Sequence, residues 1–415
     1  MKKLVAILTL ILVIFLFSSW AYPQVSEGRI HLVGQLFEAN LAENTPNPIH
    51  WLGWDPGGLY DVRHMGSFPD RPLSKGNMAY FEHLMSGRFR DEYRAEFAPH
   101  QMPCHLGDIG QSSASLSWKS DEGPWPVDVK EEFWLDSHGI NMRFELVSRS
   151  KEFANGDLST MHANYMWGAN SREIYFFGYD RPKKTFGWKS FGEVTTYPPV
   201  ISPITGEILG TWSSIEWGAQ HVACWGEAPL LVENQPDGTP LKTGHNLAEN
   251  PDKFFVLPVY FGLYDGDDDF STTEDKMAFV IMFSKPRRVQ FTLYNWGSFI
   301  NQKTYTFGEK VYYTNTYYPE GTHVPAWDWR GVFRNPVANK SYGYQMRIVC
   351  LPATDGGGEA TRKAVIEEYI KFLDDIGVKC PIFQNTVRQV SRNSCKDNWL
   401  TRLMMKYVID RVGGD

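Results

Sequence analysis

The segment from His323 to Arg330 carries two indoles beside charged side chains, which is a combination suited to binding sugars. Trp327 and Trp329 are two residues apart, so an extended strand places both on one face. Exposed indoles pack against the apolar faces of sugar rings, while Asp328 is a candidate catalytic carboxylate and Arg330 a candidate substrate ligand. In a regular strand Asp328 points away from the indoles, so either the segment is irregular or one of these roles fails. The alternative is that both tryptophans are core residues.

A second polar group places a carboxylate, an indole and an imidazole within six residues. Its members are Glu216, Trp217 and His221. A carboxylate can accept a proton from a sugar hydroxyl, so Glu216 is the candidate general base. Trp217 and His221 are candidate substrate ligands beside it.

Arg63 and His64 form a third candidate group, shortly after Gly57-Gly58. The surrounding segment, 36–103, is rich in proline and glycine and is predicted to be ordered loop with short strands. Loops of this kind can bring polar side chains to the mouth of a sandwich, so both residues are candidate substrate ligands. The alternative is a surface salt-bridge cluster.

His162 is the candidate general acid. It lies in Met161-His162-Ala163-Asn164-Tyr165, after two predicted paired strands and the polar turn Ser148-Arg149-Ser150. This arrangement resembles the galactose-mutarotase-like superfamily, which includes the aldose epimerases. The resemblance implies a β-supersandwich in which His162 protonates a sugar ring oxygen, a task suited to a group that titrates near neutral pH, with Asn164 and Tyr165 as substrate ligands. The alternative is a hydrogen-bonded structural histidine.

Several other classes of chemistry lack their sequence patterns. The chain has no GxSxG, P-loop or dinucleotide fingerprint, and its five cysteines form neither a CxxC pair nor a zinc-ligand spacing. The run from Asp265 to Asp269 lacks the glycine and distal glutamate of an EF-hand loop, so an acidic turn is expected there. No cofactor or metal is therefore predicted. A net charge of -7 without a basic stripe excludes a nucleic-acid partner.

The fold that must position these residues is predicted to be mainly β. Apolar residues alternate with polar ones from Asn141 to Ser148 and from Tyr344 to Leu351, which indicates half-buried strands. Met277 to Phe283 is apolar almost throughout, as expected of a strand covered on both faces. The chain is therefore predicted to form a large antiparallel β-sandwich, supersandwich-like, with two C-terminal α-helices. Further predicted strands are 127–135, 173–179, 254–260, 289–293 and 310–313.

The character of the sequence changes after Gly356-Gly357-Gly358. Apolar residues recur at helical spacing from Val365 to Ile376, and Gly377 is expected to end that helix. A second helix is predicted from about Lys396 to Val412, and both helices are expected to pack on the β domain. Cys380 and Cys395 are predicted to form a disulfide between the two helices, since they lie near the end of the first and the start of the second.

The N-terminus has the layout of a secretory signal peptide. Two lysines precede an apolar run from Leu4 to Phe17, and Ser19 and Ala21 occupy the small positions before a cleavage site at Tyr22. The run is shorter than the roughly 20 residues that cross a bilayer. Residues 1–21 are thus predicted to be a signal peptide, 22–355 a β-sandwich domain and 356–415 a helical tail. The mature chain is expected to be exported, periplasmic or extracellular, without a stable membrane span.

These features predict an exported carbohydrate-active protein, an epimerase, lyase or hydrolase that uses His162 as general acid. One alternative is a carbohydrate-binding protein without catalysis. Another is a structural protein of the cell envelope whose aromatic residues all lie in the core. Sugar chemistry requires His162, Glu216 and the Trp327 to Trp329 segment to converge on one concave face.

Overall fold

The structure is a computed structural model of the chain. It describes residues 25–26, 28–43, 58–67, 73, 85–86, 88–89, 92–93, 102–123, 125–151, 157–165, 169–180, 185–190, 199–201, 208–211, 222–224, 229–231, 257, 259–264, 276–284, 289–296, 302–307, 310–315, 324–334, 336–392, 395–396, 399–400 and 403. The predicted signal peptide lies outside these residues.

Strands dominate the described residues, and two helices follow them. The strands are β1 (Val25–Ser26), β2 (Arg29–Val33), β3 (Phe37–Ala42), β4 (Gly58–His64), β5 (Met85–Ser86), β6 (Arg88–Phe89), β7 (Glu92–Tyr93), β8 (His105–Gly107), β9 (Ser113–Trp118), β10 (Val127–Leu135), β11 (Ile140–Ser148), β12 (Asp157–Tyr165), β13 (Ala169–Asp180), β14 (Thr185–Ser190), β15 (Pro199–Ile201), β16 (Ile208–Thr211), β17 (Val222–Cys224), β18 (Pro229–Leu231), β19 (Val259–Tyr264), β20 (Met277–Phe283), β21 (Val289–Trp296), β22 (Gln302–Phe307), β23 (Lys310–Asn315), β24 (Val324–Arg334), β25 (Ser341–Pro352) and β26 (Cys395–Lys396). The helices are α1 (Glu359–Asp375) and α2 (Pro381–Arg392).

The described strands form one large sheet with two smaller sheets beside it. The large sheet has ten strands in the order β26-β14-β13-β19-β20-β25-β11-β10-β9-β8, and every neighbouring pair is antiparallel. A six-stranded sheet has the order β18-β17-β21-β24-β12-β5, and a four-stranded sheet the order β1-β2-β3-β4. Short strands pair separately as β15-β16, β22-β23 and β6-β7.

One face of the ten-stranded sheet is covered by the two smaller sheets, and we call it the inner face. From the six-stranded sheet, Phe333 stacks on Phe144 with ring centroids 5.9 Å apart. From the four-stranded sheet, Leu32, Leu41 and Leu59 share one buried cluster with Leu116 and other inner-face residues. This is a sandwich of packed antiparallel sheets, which confirms the predicted fold class.

The opposite, outer face is covered in part by α1. Val365, Tyr369 and Leu373 of the helix are buried in a second cluster with Phe261 and Val280 of the sheet. β20 contributes alternate residues to the two clusters, so both of its faces are covered, as its apolar sequence predicts. The two helices near the C-terminus confirm the helical part of the predicted fold.

A buried arginine ties α1 to the sheet. Arg347 Nε donates to Asn141 Oδ1 at 2.7 Å, and Nη1 donates to Asp375 Oδ2 at 2.6 Å. Its guanidinium also lies 5.3 Å from the centre of the Phe372 ring. Asn141 Nδ2 in turn donates to Asp136 Oδ2 at 2.7 Å, so the guanidinium and the amide are both satisfied by defined partners.

The start and the end of α1 follow from the sequence. The Asp355 carboxylate accepts hydrogen bonds from the Ala360 and Thr361 amides, which have no partners within the helix. Burial acts to raise the pKa of Asp355, but the hydrogen bonds from Thr361, Ala360 and Gly358 outweigh it and hold the pKa below its usual range. At the other end Gly377 has φ +91°, a left-handed conformation that ends helices.

The structure differs from the predicted elements at three places. Of the predicted strand 254–260, Leu257 is described outside a strand and β19 begins at Val259, while 254–256 and 258 lie outside the described residues. The structure also has a helix, α2, where none was predicted; Pro381 is its first residue, a position that proline favours.

The second predicted helix lies mostly outside the described residues, which include only positions 396, 399, 400 and 403 of it. Lys396 lies in β26, paired with β14, and the described helical residues begin at Trp399. Leu400 and Leu403 are exposed instead of packing on the β domain. The predicted Cys380–Cys395 disulfide stays a prediction, since the Cys395 side chain lies outside the described residues. In the described part of the chain, no helix is long and apolar enough to span a membrane.

Candidate functional site

β12 and β24 are neighbours in the middle of the six-stranded sheet, and together they carry most of the predicted site. Their pairing is antiparallel and free of bulges, with His162 opposite Trp329 and Asn164 opposite Trp327. Side chains of directly opposed residues project from the same face of a sheet. The register therefore places positions 162, 164, 327 and 329 together, although the two strands are far apart in sequence. The structure describes only the backbone at these positions.

The face that these positions occupy is the one turned towards the ten-stranded sheet. Phe333 lies four residues beyond Trp329 and six residues beyond Trp327 in β24, so all three residues are on the same face. Phe333 packs on Phe144 of the ten-stranded sheet. At roughly 3.3 Å per residue, position 329 lies about 13 Å from this aromatic junction and position 327 about 20 Å. Any ligand held at these positions would therefore lie between the two sheets, away from the Phe333 end.

Asp328 and Arg330 lie on the opposite face of β24 from the tryptophans. Asp328 is opposite Ala163, and Arg330 is opposite Met161. The regular pairing excludes an irregular backbone at this segment, so Asp328 and the indoles cannot act on one ligand from one face. Tyr165 is paired with Ala326 and alternates away from Asn164 in the same manner.

The group formed by Glu216, Trp217 and His221 lies outside the described residues. The described chain resumes at Val222 in β17, which is paired with Leu293 of β21. Leu293 is itself opposite Trp327, and Phe291 is opposite Trp329. The strand that directly follows His221 is therefore part of the sheet that carries the two tryptophans.

Arg63 and His64 do not form one polar group, because they project from opposite faces of β4. The Arg63 Nη1 atom donates to Glu38 Oε1 at 3.3 Å on the half-exposed side, which agrees with the salt-bridge alternative. His64 is only 7% exposed and meets Phe37 edge to face, with ring centroids 5.0 Å apart. Its Nδ1 atom is buried and has no hydrogen-bond partner among the described residues. His64 is thus mostly buried in the four-stranded sheet.

The burial of His64 affects its protonation. Desolvation lowers the pKa of His64 below its ordinary value, because the imidazolium would lose hydration without gaining a partner. In the unfolded chain the same side chain takes up a proton near pH 6.5. Between these two pKa values the unfolded state binds one more proton than the folded state, so stability rises with pH in that window.

We expect the His64→Leu variant to lose this pH dependence. The wild type should lose up to about 1.4 kcal/mol of unfolding free energy per pH unit as the pH falls below about 6.5. The His64→Leu variant should lose less unfolding free energy over the same range, because it lacks the contribution of His64. Urea unfolding measured between about pH 5 and 8 gives the comparison. His138→Leu, at an exposed histidine of the β10–β11 turn, is the control for the same substitution at the protein surface. Equal slopes in wild type and His64→Leu would contradict the assignment.

Glu131 is a buried acid that the sequence analysis did not single out. It lies in β10 on the inner face, opposite Phe144, and is completely buried. Its signal was a charged residue at an apolar position of the alternation Val127, Val129, Glu131, Phe133 and Leu135. Because Glu131 is completely buried, it cannot contact a substrate in this structure.

Within the described residues, no group of three or more histidine, cysteine or acidic side chains could hold a metal ion.

The polar turn after β11 has a structural role. Arg149 Nε donates to Asp128 Oδ2 at 2.7 Å, and Nη1 donates to Asn339 Oδ1 at 3.1 Å. These bonds fix the turn against the β24–β25 connection.

An open cleft of about 510 Å³ lies beside this turn, on the outer face of the ten-stranded sheet. The cleft is lined by equal numbers of basic and acidic side chains. It is lined by Lys119, Asp121, Asp128, Lys130, Glu145 and Arg149, among others.

Comparison with known proteins gives matches among solved structures only. No protein-family model and no curated protein matches the chain. A galactose mutarotase-like protein from Lactobacillus casei has a TM-score of 0.35 at 8% identity, over 78% of this chain and 100% of its own. Another from Clostridium acetobutylicum has a TM-score of 0.35 at 11% identity, over 80% of this chain and 98% of its own. The chain thus resembles galactose mutarotase-like proteins weakly.

Proposed function

We propose that this chain is an exported carbohydrate-active protein. Its sugar site lies between the six-stranded and the ten-stranded sheet, at positions 162, 164, 327 and 329. The observation that carries the proposal is the register of β12 and β24, which pairs His162 with Trp329 and Asn164 with Trp327. Two indoles, an imidazole and an amide thereby share one face of a sheet. These residue types bind the apolar face, the ring oxygen and the hydroxyls of a sugar.

In this proposal each residue has a distinct role. Trp327 and Trp329 hold the sugar ring by stacking, and Asn164 hydrogen-bonds to its hydroxyls. His162 is the general acid that donates a proton to the ring oxygen or a leaving oxygen, because an imidazole titrates close to neutral pH. Glu216 is the general base. Asp328 and Arg330 are left out of the site because their face of β24 is the opposite one.

A non-catalytic carbohydrate-binding protein is the second candidate. It is favoured by the residues that share the face with His162 in the described strands. None of them is acidic: they are Leu158, Thr160 and Asn164 in β12, Pro325, Trp327, Trp329, Gly331 and Phe333 in β24, Val289, Phe291, Leu293 and Asn295 in β21, Val222 and Cys224 in β17, Pro229 and Leu231 in β18, and Met85 in β5. A carboxylate base must therefore come from elsewhere in the chain, and without one the site binds sugars but does not transform them.

Replacing either indole tests the binding site itself. We expect Trp327→Ala and Trp329→Ala each to weaken binding to the accepted glycan by about 2 kcal/mol or more, roughly 30-fold, since aromatic anchors dominate such sites. Binding and turnover of the purified protein on a glycan panel give the measurement. Trp399→Ala is the matched control, because Trp399 is exposed and belongs neither to the six-stranded nor to the ten-stranded sheet.

Three outcomes of this experiment would contradict the proposal. If the wild type binds no glycan, or if the indole variants bind as well as the wild type, the tryptophans are not sugar ligands. If both variants lose their cooperative unfolding, the indoles are core residues. The remaining hypothesis would then be a structural protein of the envelope.

A further inference from the structure

Part of the outer face of the ten-stranded sheet is open to solvent. α1 covers this face at β19 and β20. Towards the β8 edge of the sheet the side chains on the same face are exposed instead. Asp108, between β8 and β9, has 68% of its side chain exposed, and Arg143 of β11 has 56%. This end of the outer face is therefore accessible to a ligand.

A small cleft on the open part of this face combines an indole with charged and hydroxyl side chains. Its volume is about 270 Å³. Trp134 of β10 is partly exposed there, and the Arg143 guanidinium lies 6.0 Å from the centre of an indole ring. An indole can pack on the apolar face of a sugar, while polar groups around it bind the hydroxyls. The polar side chains that line the cleft are Asp108, Ser113, Ser115, Glu132 and Arg143.

The polar groups of this cleft hold one another in place. Arg143 Nη1 donates to Glu132 Oε2 at 3.3 Å, and Ser115 Oγ donates to Asp108 Oδ2 at 3.0 Å. Lys130 Nζ lies 2.7 Å from the same Asp108 oxygen and 2.9 Å from Glu132 Oε1. Hydrogen bonds from Lys130 and Ser115 lower the pKa of Asp108, so its carboxylate stays an acceptor. Groups that are already positioned lose less conformational entropy when a ligand binds.

The small cleft continues into the larger cleft beside the turn after β11. Lys130 lines the larger cleft, and its ammonium group contacts Asp108 and Glu132 of the smaller one. The outer-face residues of β10 run from Asp128 to Trp134, which is about 20 Å at roughly 3.3 Å per residue. We call the two clefts together the outer groove. Its length suits several linked sugars better than a single one.

The charges of the outer groove point to an uncharged ligand. Among the described residues that line it, basic and acidic side chains are nearly equal in number. A polyanion or a polycation would meet charges of its own sign along the groove, which opposes binding. Sugar hydroxyls donate to carboxylates and accept from basic groups, so a neutral glycan can use both kinds. The basic residues are Lys119, Lys130, Arg143 and Arg149, and the acidic residues are Asp108, Asp121, Asp128, Glu132 and Glu145.

We propose that the outer groove binds a neutral polysaccharide. Trp134 stacks on one of its sugar rings, and the charged side chains along β10 and β11 bind the hydroxyls. The groove lies on the outer face of the ten-stranded sheet, whereas positions 162 and 329 lie between that sheet and the six-stranded one. The groove is therefore a separate site. It requires binding only and does not depend on catalysis by His162.

Polysaccharide binding by the purified full chain tests this proposal. Cellulose, xylan and starch are the neutral probes, alginate is the acidic probe and chitosan the basic one. We expect binding to at least one neutral probe, with little dependence on salt. Trp134→Ala should weaken it about tenfold or more, and Arg143→Ala about threefold or more. Trp399→Ala is the matched control, because Trp399 is exposed and follows β26 at the other edge of the sheet.

Several results would overturn the proposal. Binding to alginate or chitosan alone, or to no probe, removes the neutral polysaccharide. Unchanged binding in both groove variants, or an equal loss in Trp399→Ala, removes the groove. If Trp134→Ala does not unfold cooperatively, Arg143→Ala decides, since it alters an exposed side chain.

The same measurements separate the outer groove from the proposed sugar site. A loss of polysaccharide binding confined to Trp329→Ala would assign the polymer to the site between the sheets and overturn the groove. A loss confined to the groove variants, with unchanged turnover of a short soluble glycan, supports the groove. Polysaccharide binding that depends on Trp134 in a protein without turnover would support the groove and contradict catalysis at His162.

Discussion

The His162→Ala variant should lose about 100-fold to 10,000-fold in turnover while it keeps its fold and most of its affinity for the glycan. A general acid acts on the transition state, so its removal lowers kcat more than it raises KM. Position 162 is opposite position 329, whose tryptophan is proposed to hold the sugar. A proton donor and a stacking surface at opposed positions are close enough to engage the same ring.

Two further variants separate catalysis from structure at this position. His162→Gln keeps a hydrogen-bonding side chain that cannot transfer a proton at neutral pH, so it should be as inactive as His162→Ala. His138→Ala, on the exposed turn after β10, should retain full activity. Full activity of His162→Ala, or its failure to unfold cooperatively, would make the histidine structural and the acid mechanism wrong. Binding without turnover in the wild type would favour the non-catalytic candidate.

Removal of the chain after Gly356 should leave an aggregation-prone β domain. α1 buries its apolar side chains against the outer face of the ten-stranded sheet, and each such side chain contributes about 1.5–3 kcal/mol when fully buried. The helix residues concerned are Val365, Ile366, Tyr369, Ile370, Phe372 and Leu373. Their combined loss is of the order of a domain's whole net stability, roughly 5–15 kcal/mol.

A point substitution in α1 tests the same contact without deleting it. Leu373→Asp places a charge in the second buried cluster and should cost about 4 kcal/mol or more. Lys363→Asp places the same side chain on the exposed side of the helix and should change the unfolding free energy by less than about 0.5 kcal/mol. Urea unfolding measures both. A truncated chain that stays monomeric and unfolds cooperatively would show that the helices are dispensable.

The sequence predicted the fold where local pattern and burial agree. The alternation in β11 and β25 identified half-buried strands, because each of them has one face in the inner cluster. The bounds of β20 and the end of α1 at Gly377 were also predicted correctly. Sheet order was not, since it depends on pairings such as that of β11 with β25, which no local pattern encodes.

For the candidate site, the sequence indicated which residue types could bind a sugar but not which of them meet in the folded sheet. The sequence could not show that His162 is opposite Trp329, because register is set by the whole sheet. It did predict that Asp328 would face away from the indoles in a regular strand, and the pairing is regular. The burial of His64 was missed because its strand, β4, lies in a segment of glycines and prolines without clear periodicity. Glu131 was missed because one acidic residue at an apolar position of a strand does not by itself indicate a buried acid.

The long-range pairing of β11 with β25 has a consequence for how the chain acquires its structure. Arg347 and Asn141, which bond to each other in the folded sheet, are 206 residues apart. β11 can pair with β10 as soon as both have been synthesised, but its other edge stays open until almost the whole chain has emerged. Closing such distant contacts is slow, and an open edge of this kind invites pairing with other chains. The unpaired edge of β11 is therefore a site at which an incomplete chain can pair with another chain.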